Sequence, residues 1–190
     1  MRRSRFALPR PSARALGALG VLAAALALAA PNVRAQDAPA GFREEFLHQF
    51  GISMEKVIAL AEAVPAEKYA TSPVAGTMPL GRAYAHIARF NYEYPARAMG
   101  IAAPAGVDPE ALERITDKAQ IVALLRRSAE HVRQAVRQMP EAQLARPTTL
   151  YGRRVPQWAV LLQLLAHMND HMGQSIAYGR AAGVVPPWSQ

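Results

Sequence analysis

Five histidines are spread along the chain, at positions 48, 86, 131, 167 and 171. His167 and His171 stand four apart in a run with strong helical periodicity. On a helix such a pair shares one face, with Cβ atoms roughly 5–6 Å apart, so two imidazoles there can share one divalent ion. Leu164, Gln174 and Tyr178 fall on the same face, which therefore points inward. Inward imidazoles are costly unless they are hydrogen-bonded or bound to something. A third ligand has to come from another helix. His86 is the best placed, on a stripe with Leu80, Phe90 and several alanines. Three His with positions left open for water or substrate suit zinc or another imidazole-binding metal. The spacing alone fits two hydrogen-bonded core histidines equally well, and both readings stay open at this point.

The remaining polar residues sort by their neighbours. His48 lies among Glu44, Glu45 and Glu55, and His131 between Glu130 and Arg133, so both read as solvated face residues. Gln174 lies one turn beyond His171 and is placed to orient a bound ligand. Glu93 lies two turns from His86, as a hydrogen-bond acceptor behind the ligands or a general base. Arg153 and Arg154 are read as a solvated loop pair, with an anionic substrate as the functional alternative. Met54, Met168 and Met172 read as core filler rather than copper ligands.

Several mechanisms are excluded by residue type. There is no Cys, which removes disulfides, thiolate metal sites and a Cys nucleophile. The run His167-Met168-Asn169-Asp170-His171 lacks the Glu that a zinc protease places beside its first His. The relevant helices offer no set of Glu-x-x-His pairs with further Glu, as di-iron bundles need, and a GxSxG elbow is absent. A haem bundle with Met and His axial ligands is a weaker reading of the same residues.

The elements that must position these groups are helical. Phe42, Phe46, Phe50, Ser53, Val57, Leu60 and Val64 recur at spacings of three and four, which predicts a first helix over 42–64, stopped by Pro65. A loop rich in Pro and Gly follows to residue 79. A second helix is expected from Leu80 to about Met99, kinked or cut short by Pro95. After a connection over 100–116, Thr116 is the expected N-cap of a third helix ending near Met139. A loop holding Gly152 leads to Pro156, in the first turn of a fourth helix that carries His167 and His171 and is capped near Gly183. No strand pattern appears. The fold class is all-α, a four-helix bundle with long connections, which often line a site.

Residues 1–35 read as a secretory signal peptide. Five Arg precede Leu16–Ala30, a run of 15 residues dominated by Ala and Leu, and Val33 and Ala35 supply the small residues before a cut. That run is shorter than the roughly 20 apolar residues of a spanning helix, so no stable membrane span is expected after cleavage. The chain has 22 basic and 14 acidic residues, net +8, but six Arg and no acid lie in the leader. Residues 36–190 then hold 16 basic and 14 acidic residues, or +2, which leaves no electrostatic footprint for nucleic acid. The expected location is a bacterial periplasm or the exterior.

Two stretches carry a resemblance. The run LLAHMNDHMGQSIAYGRAAGVVPPWS at the C-terminus resembles the end of DinB-like proteins, a superfamily of metal-binding four-helix bundles. EKYATSPVAGTMPLGRAYAHIARFNYEY resembles the family's other signature, a loop with an aromatic and a Pro leading into a helix with one inward His. The likeness covers about residues 42–189. It implies a metal site of one His on the second helix and two on the last, here His86, His167 and His171. It also implies an up-down-down-up arrangement with a long crossover, nickel or zinc as the metal, and dimers formed through helix faces. Characterised relatives include thiol-dependent transferases and isomerases. The resulting expectation is an exported protein holding one divalent ion, acting as a metal-dependent thiol transferase or hydrolase on an unknown small molecule. The alternative is a non-catalytic metal- or ligand-binding bundle.

Overall fold

The computed structural model describes residues 37–189, so the expected leader over 1–35 lies outside the described residues. Four long helices make the body: α1 (Phe42–Ala63), α2 (Leu80–Met99), α3 (Lys118–Gln138) and, after a one-turn α4 (Glu141–Leu144), α5 (Gln157–Ala181). Short 3-10 turns occur at Ala66–Lys68, Pro109–Arg114 and Pro187–Ser189. The apolar stripes read from the sequence form one core. Phe50, Met54, Val57 and Leu60 of α1 meet Tyr84 and Ile87 of α2, Ile121 and Leu125 of α3, and Leu161, Leu164 and Met168 of α5.

Contacts between helices give their directions. Arg43 at the start of α1 donates to the carbonyls of Val136 and Arg137 at the end of α3, and Lys118 at the start of α3 donates to those of Glu62 and Val64. The two helices are therefore antiparallel. Phe42 packs on Trp158, while Leu60 lies against Gly179, so α1 and α5 run parallel. His86 meets His171 and Tyr94 meets His167, so α2 runs against α5. The order is up-down-down-up, as the resemblance implied. α2 packs on α3 and α5, as does α1, which places α1 and α2 on one diagonal.

Helix ends follow local chemistry, with three departures from expectation. The N-cap of α3 is Asp117, whose side chain accepts from Gln120 N–H at 2.8 Å; Thr116 lies one residue too early to reach it. α2 continues through Pro95 to Met99 and ends at Gly100, whose φ of 72° suits a left-handed cap. Pro95 is buried in that last turn, and an Arg97–Glu93 ion pair at 2.7 Å spans it. Residues 147–156 form a hairpin, β1 (Pro147–Leu150) paired antiparallel with β2 (Arg153–Pro156). Neither Pro147-Thr148-Thr149-Leu150 nor Arg153-Arg154-Val155-Pro156 alternates apolar with polar residues, so no strand pattern shows in the sequence. The two-residue loop has positive φ at both positions, Tyr151 (49°) and Gly152 (74°), as a type I′ turn requires.

The long loop after α1 is pinned to the start of α2. Gly81 N–H donates to Tyr69 O at 2.8 Å, and a Cβ at Gly81 would stand 2.8 Å from the Tyr69 ring and 3.2 Å from its carbonyl oxygen. Only glycine allows that approach. Tyr69 also donates its hydroxyl to Ala61 O, which fixes the first turn of α2 one turn before His86.

Candidate metal centre

The antiparallel α2 and α5 bring three imidazoles together. His86 comes from α2, and His167 and His171 come from successive turns of α5. One ring nitrogen from each falls within 4.8 Å of the other two, a grouping that could hold a metal ion. His86 Nε2 and His167 Nε2 are 3.2 Å apart. Two ligands about 2.1 Å from one ion at a tetrahedral angle stand about 3.4 Å apart, so the observed separation suits a shared ion.

The rings are held from behind. His86 Nδ1 lies 2.7 Å from Glu113 Oε1, and a carboxylate acceptor there places the proton on Nδ1 and leaves the Nε2 lone pair facing the other histidines. His171 Nδ1 lies 2.8 Å from Gln174 Oε1, and Gln174 donates its amide to Tyr178 Oη at 2.8 Å. His171 is thereby oriented as His86 is, by a different group. Phe90 closes one side, with its ring centroid 4.4 Å from that of His167 and 4.7 Å from that of His86.

Burial and neighbouring charge set the protonation. Burial, reinforced by the proximity of His171 and His86, pushes His167 down to about 4. Burial also lowers His86, against the opposing pull of Glu113. Both are neutral at physiological pH, the form that ligates a metal. Burial alone would raise the Glu113 carboxyl, but hydrogen bonds from His86, Arg82 and Arg89 outweigh it and hold the group at about 2. Glu113 is thus a permanent carboxylate, with its side chain only 9% exposed.

Glu93 lies elsewhere. Its carboxylate accepts from Arg89 and Arg97, both at 2.7 Å, and the carboxylate at His86 is Glu113 instead. Glu113 arrives from the 3-10 turn in the connection after α2, and nothing local in the sequence marks it. Arg82, His86, Arg89, Glu93 and Arg97 form one stripe along α2, and Glu110 and Glu113 lock the turn onto that stripe. His48 is exposed, as read from its acidic neighbours. His131 is not a solvated residue. It is half-buried against Tyr92, with ring centroids 5.1 Å apart and no hydrogen-bond partner for Nε2. Burial lowers its pKa too. Arg153 and Arg154 are exposed on β2. Met54 and Met168 are core residues, while Met172 packs at the core's edge.

A family model described as the DinB superfamily matches residues 49–175, well over half of the chain and including all three histidines. The chain belongs to the DinB superfamily. Solved structures agree at the level of fold. A DinB-like protein from Bacillus cereus is 21% identical, with a TM-score of 0.67 over 76% of this chain and 95% of that one. A DinB-like protein from Bacillus subtilis is 22% identical, with a TM-score of 0.60 over 74% and 93% of the two chains. A conserved protein from Enterococcus faecalis is 13% identical, with a TM-score of 0.57 over 76% and 97%. No curated protein matches the chain. Among the described residues of this DinB-superfamily bundle, no helix is long and apolar enough to cross a membrane.

Proposed function

We propose that this DinB-superfamily protein is exported and holds one divalent ion, zinc or nickel, through His86, His167 and His171, and that it acts there as a metal-dependent thiol transferase or hydrolase. The observation that carries the reading is the orientation of the rings. Glu113 and Gln174 occupy Nδ1 of His86 and His171, and one ring nitrogen from each of the three histidines converges on the others. A closed structural zinc site uses four protein ligands, whereas three His, with no fourth His or carboxylate grouped with them among the described residues, suit a site with an open position. When bound, the ion supplies a Lewis acid that lowers the pKa of water or a thiol and makes a nucleophile near neutral pH.

The chain's own residues have separate tasks in this reading. Glu113 keeps the proton of His86 on Nδ1 and raises the basicity of Nε2. Gln174 does the corresponding work of orientation for His171, with Tyr178 fixing the amide. Phe90 excludes water from one side of His167 and His86, which strengthens electrostatic interactions there. Glu93, buried and doubly paired, braces the helix stripe rather than reaching a substrate.

The test is elemental analysis of protein recovered from a periplasm without an affinity tag. About one zinc or nickel per chain is expected, lost in His86→Ala and in His167→Ala. Wild-type protein without metal, and without uptake on adding it back, sinks the metal reading. Single-turnover assays pairing a low-molecular-weight thiol with an electrophile then decide the reaction, and azide binding to the loaded protein reads the open position. N-terminal sequencing of the exported form should begin at Gln36.

A further inference from the structure

Beside the histidines, a cavity of about 230 Å³ lies between α2 and the β1–β2 hairpin. Phe90, Tyr94 and Ala98 line it from α2, and Thr149, Leu150 and Tyr151 from the hairpin. Phe90 and Tyr94 also touch the histidine cluster, with ring centroids 4.4 and 5.7 Å from that of His167. The Phe90 ring centroid also lies 4.7 Å from that of His86, so Phe90 and Tyr94 separate the cavity from His86 and His167 as a common wall.

The chemistry of that wall is specific. Glu93 and Arg97 also line the cavity, but they pair with each other at 2.7 Å, and their other contacts go to Arg89 and Glu110. No unpaired charge is offered to an occupant. Phe90, Ala98 and Leu150 present apolar surface, and the polar edge is the hydrogen-bonded pair of Tyr94 and Tyr151 hydroxyls beside Thr149. Arg153 and Arg154 are not among the lining residues.

Tyr151 adds an independent observation. It is the sole non-glycine residue with positive φ among the described residues, at 49°. Asn, Asp or Gly would fill that turn position without the cost of a bulky side chain. Backbone strain of this kind clusters at ligand clamps, and here it sets a phenol against Tyr94 at the cavity wall.

Resting on the metal reading above, we infer that this cavity is a substrate subsite. It takes the uncharged aromatic or compact apolar part of a small substrate whose polar end reaches the three histidines. The volume lies below the roughly 300–1,000 Å³ of drug-sized pockets, so a single ring with a short arm fits and a nucleotide or peptide does not.

Two hydroxamates with the same chelating end test this on the zinc-loaded full chain. Acetohydroxamate reads the metal alone, and benzohydroxamate reads the metal and the cavity. After each is referred to its own affinity for aqueous zinc, benzohydroxamate should bind roughly tenfold tighter or better, the effect of burying one ring. Tyr151→Gly, which removes a wall, and Ala98→Leu, which fills the space, should both bring the ratio toward unity. Equal affinities in the wild-type protein overturn the subsite and leave the metal reading standing. Failure to load either zinc or nickel overturns the metal reading instead. The cavity is then judged by benzyl alcohol added to the metal-free protein. Shifts in the Leu150 methyl and Phe90 ring resonances uphold an aromatic-binding cavity, and unshifted resonances overturn it.

Discussion

Replacing Glu113 with Gln tests the arrangement behind the histidines. Glu113 Oε1 accepts from His86 Nδ1 at 2.7 Å and from Arg89 at 2.9 Å, and Oε2 accepts from Arg82 at 2.9 Å. Glutamine keeps the shape but offers one oxygen and one NH₂ group to three donors. At least one donor then faces another donor. The hydrogen bond from neutral His86 also loses its charged acceptor and falls from about 1.5–3 to about 0.5–1.5 kcal/mol, while Arg82 and Arg89 lose their ion pairs. For the ligand, the consequence is a less basic and less firmly oriented imidazole. Changes behind a ligating His typically weaken metal binding about 10–100-fold, or about 1.4–2.7 kcal/mol. Competition for zinc against a chelator of known affinity measures this directly. Because the carboxylate is held at about 2, the deficit should persist across the neutral pH range.

A loosened 109–114 turn would mimic that result, so Glu110→Gln serves as the control. Glu110 belongs to the same turn and pairs with Arg97 at 3.1 Å, but both side chains are largely exposed. Exposed pairs contribute about 0–1 kcal/mol, and zinc affinity in Glu110→Gln should stay within twofold of wild type. Equal losses in both variants would show that the turn, not the contact with His86, sets the affinity. A Glu113→Gln protein that binds zinc as tightly as wild type would refute the argument for the carboxylate altogether.

Further outcomes follow from the same geometry. Gln174→Ala removes the acceptor at His171 Nδ1 and should weaken zinc by about 10-fold or more, with the fold unchanged by circular dichroism. Metal-free protein should lose stability on acidification. His86, His131 and His167 all lie below the ordinary 6.5 in the folded state, so between that value and about 4 for His167 the unfolded chain binds more protons. Unfolding free energy should therefore rise with pH across this window by roughly 2–3 kcal/mol, read from urea midpoints at pH 4.5, 6 and 7.5, and a flat profile would contradict the assigned protonation states. Gly81→Ala sets a Cβ against Tyr69 and should destabilise by about 1–3 kcal/mol, whereas Gly173→Ala, in open space on α5, should not destabilise.

What the sequence made legible divides by the range of the interaction. Helical periodicity is local, so four long helices and the shared face of His167 and His171 could be read directly. The faces themselves follow from burial: Leu164 and Met168 are core, and Gln174 meets His171 within one turn. His86 came from its apolar stripe, and the resemblance supplied the pairing of that stripe with α5. Glu113 and the hairpin were not legible, for different reasons. Glu113 reaches His86 across 27 residues of sequence through a 3-10 turn, and no pattern of residue types encodes which carboxylate in a Gly- and Pro-bearing connection will meet an α2 side chain. Glu93 had the right spacing, but spacing does not foresee two arginines, Arg89 and Arg97, that claim its carboxylate first. His131 failed in the converse way: its charged neighbours in sequence sit on other faces of α3, and its ring turns toward Tyr92. The division has a functional consequence. His167 and His171 on α5 are positioned by a single helix, whereas His86 depends on Gly81, the Tyr69 loop and the 109–114 turn together. Perturbing those connections should therefore degrade metal binding through His86 while His167 and His171 keep their places.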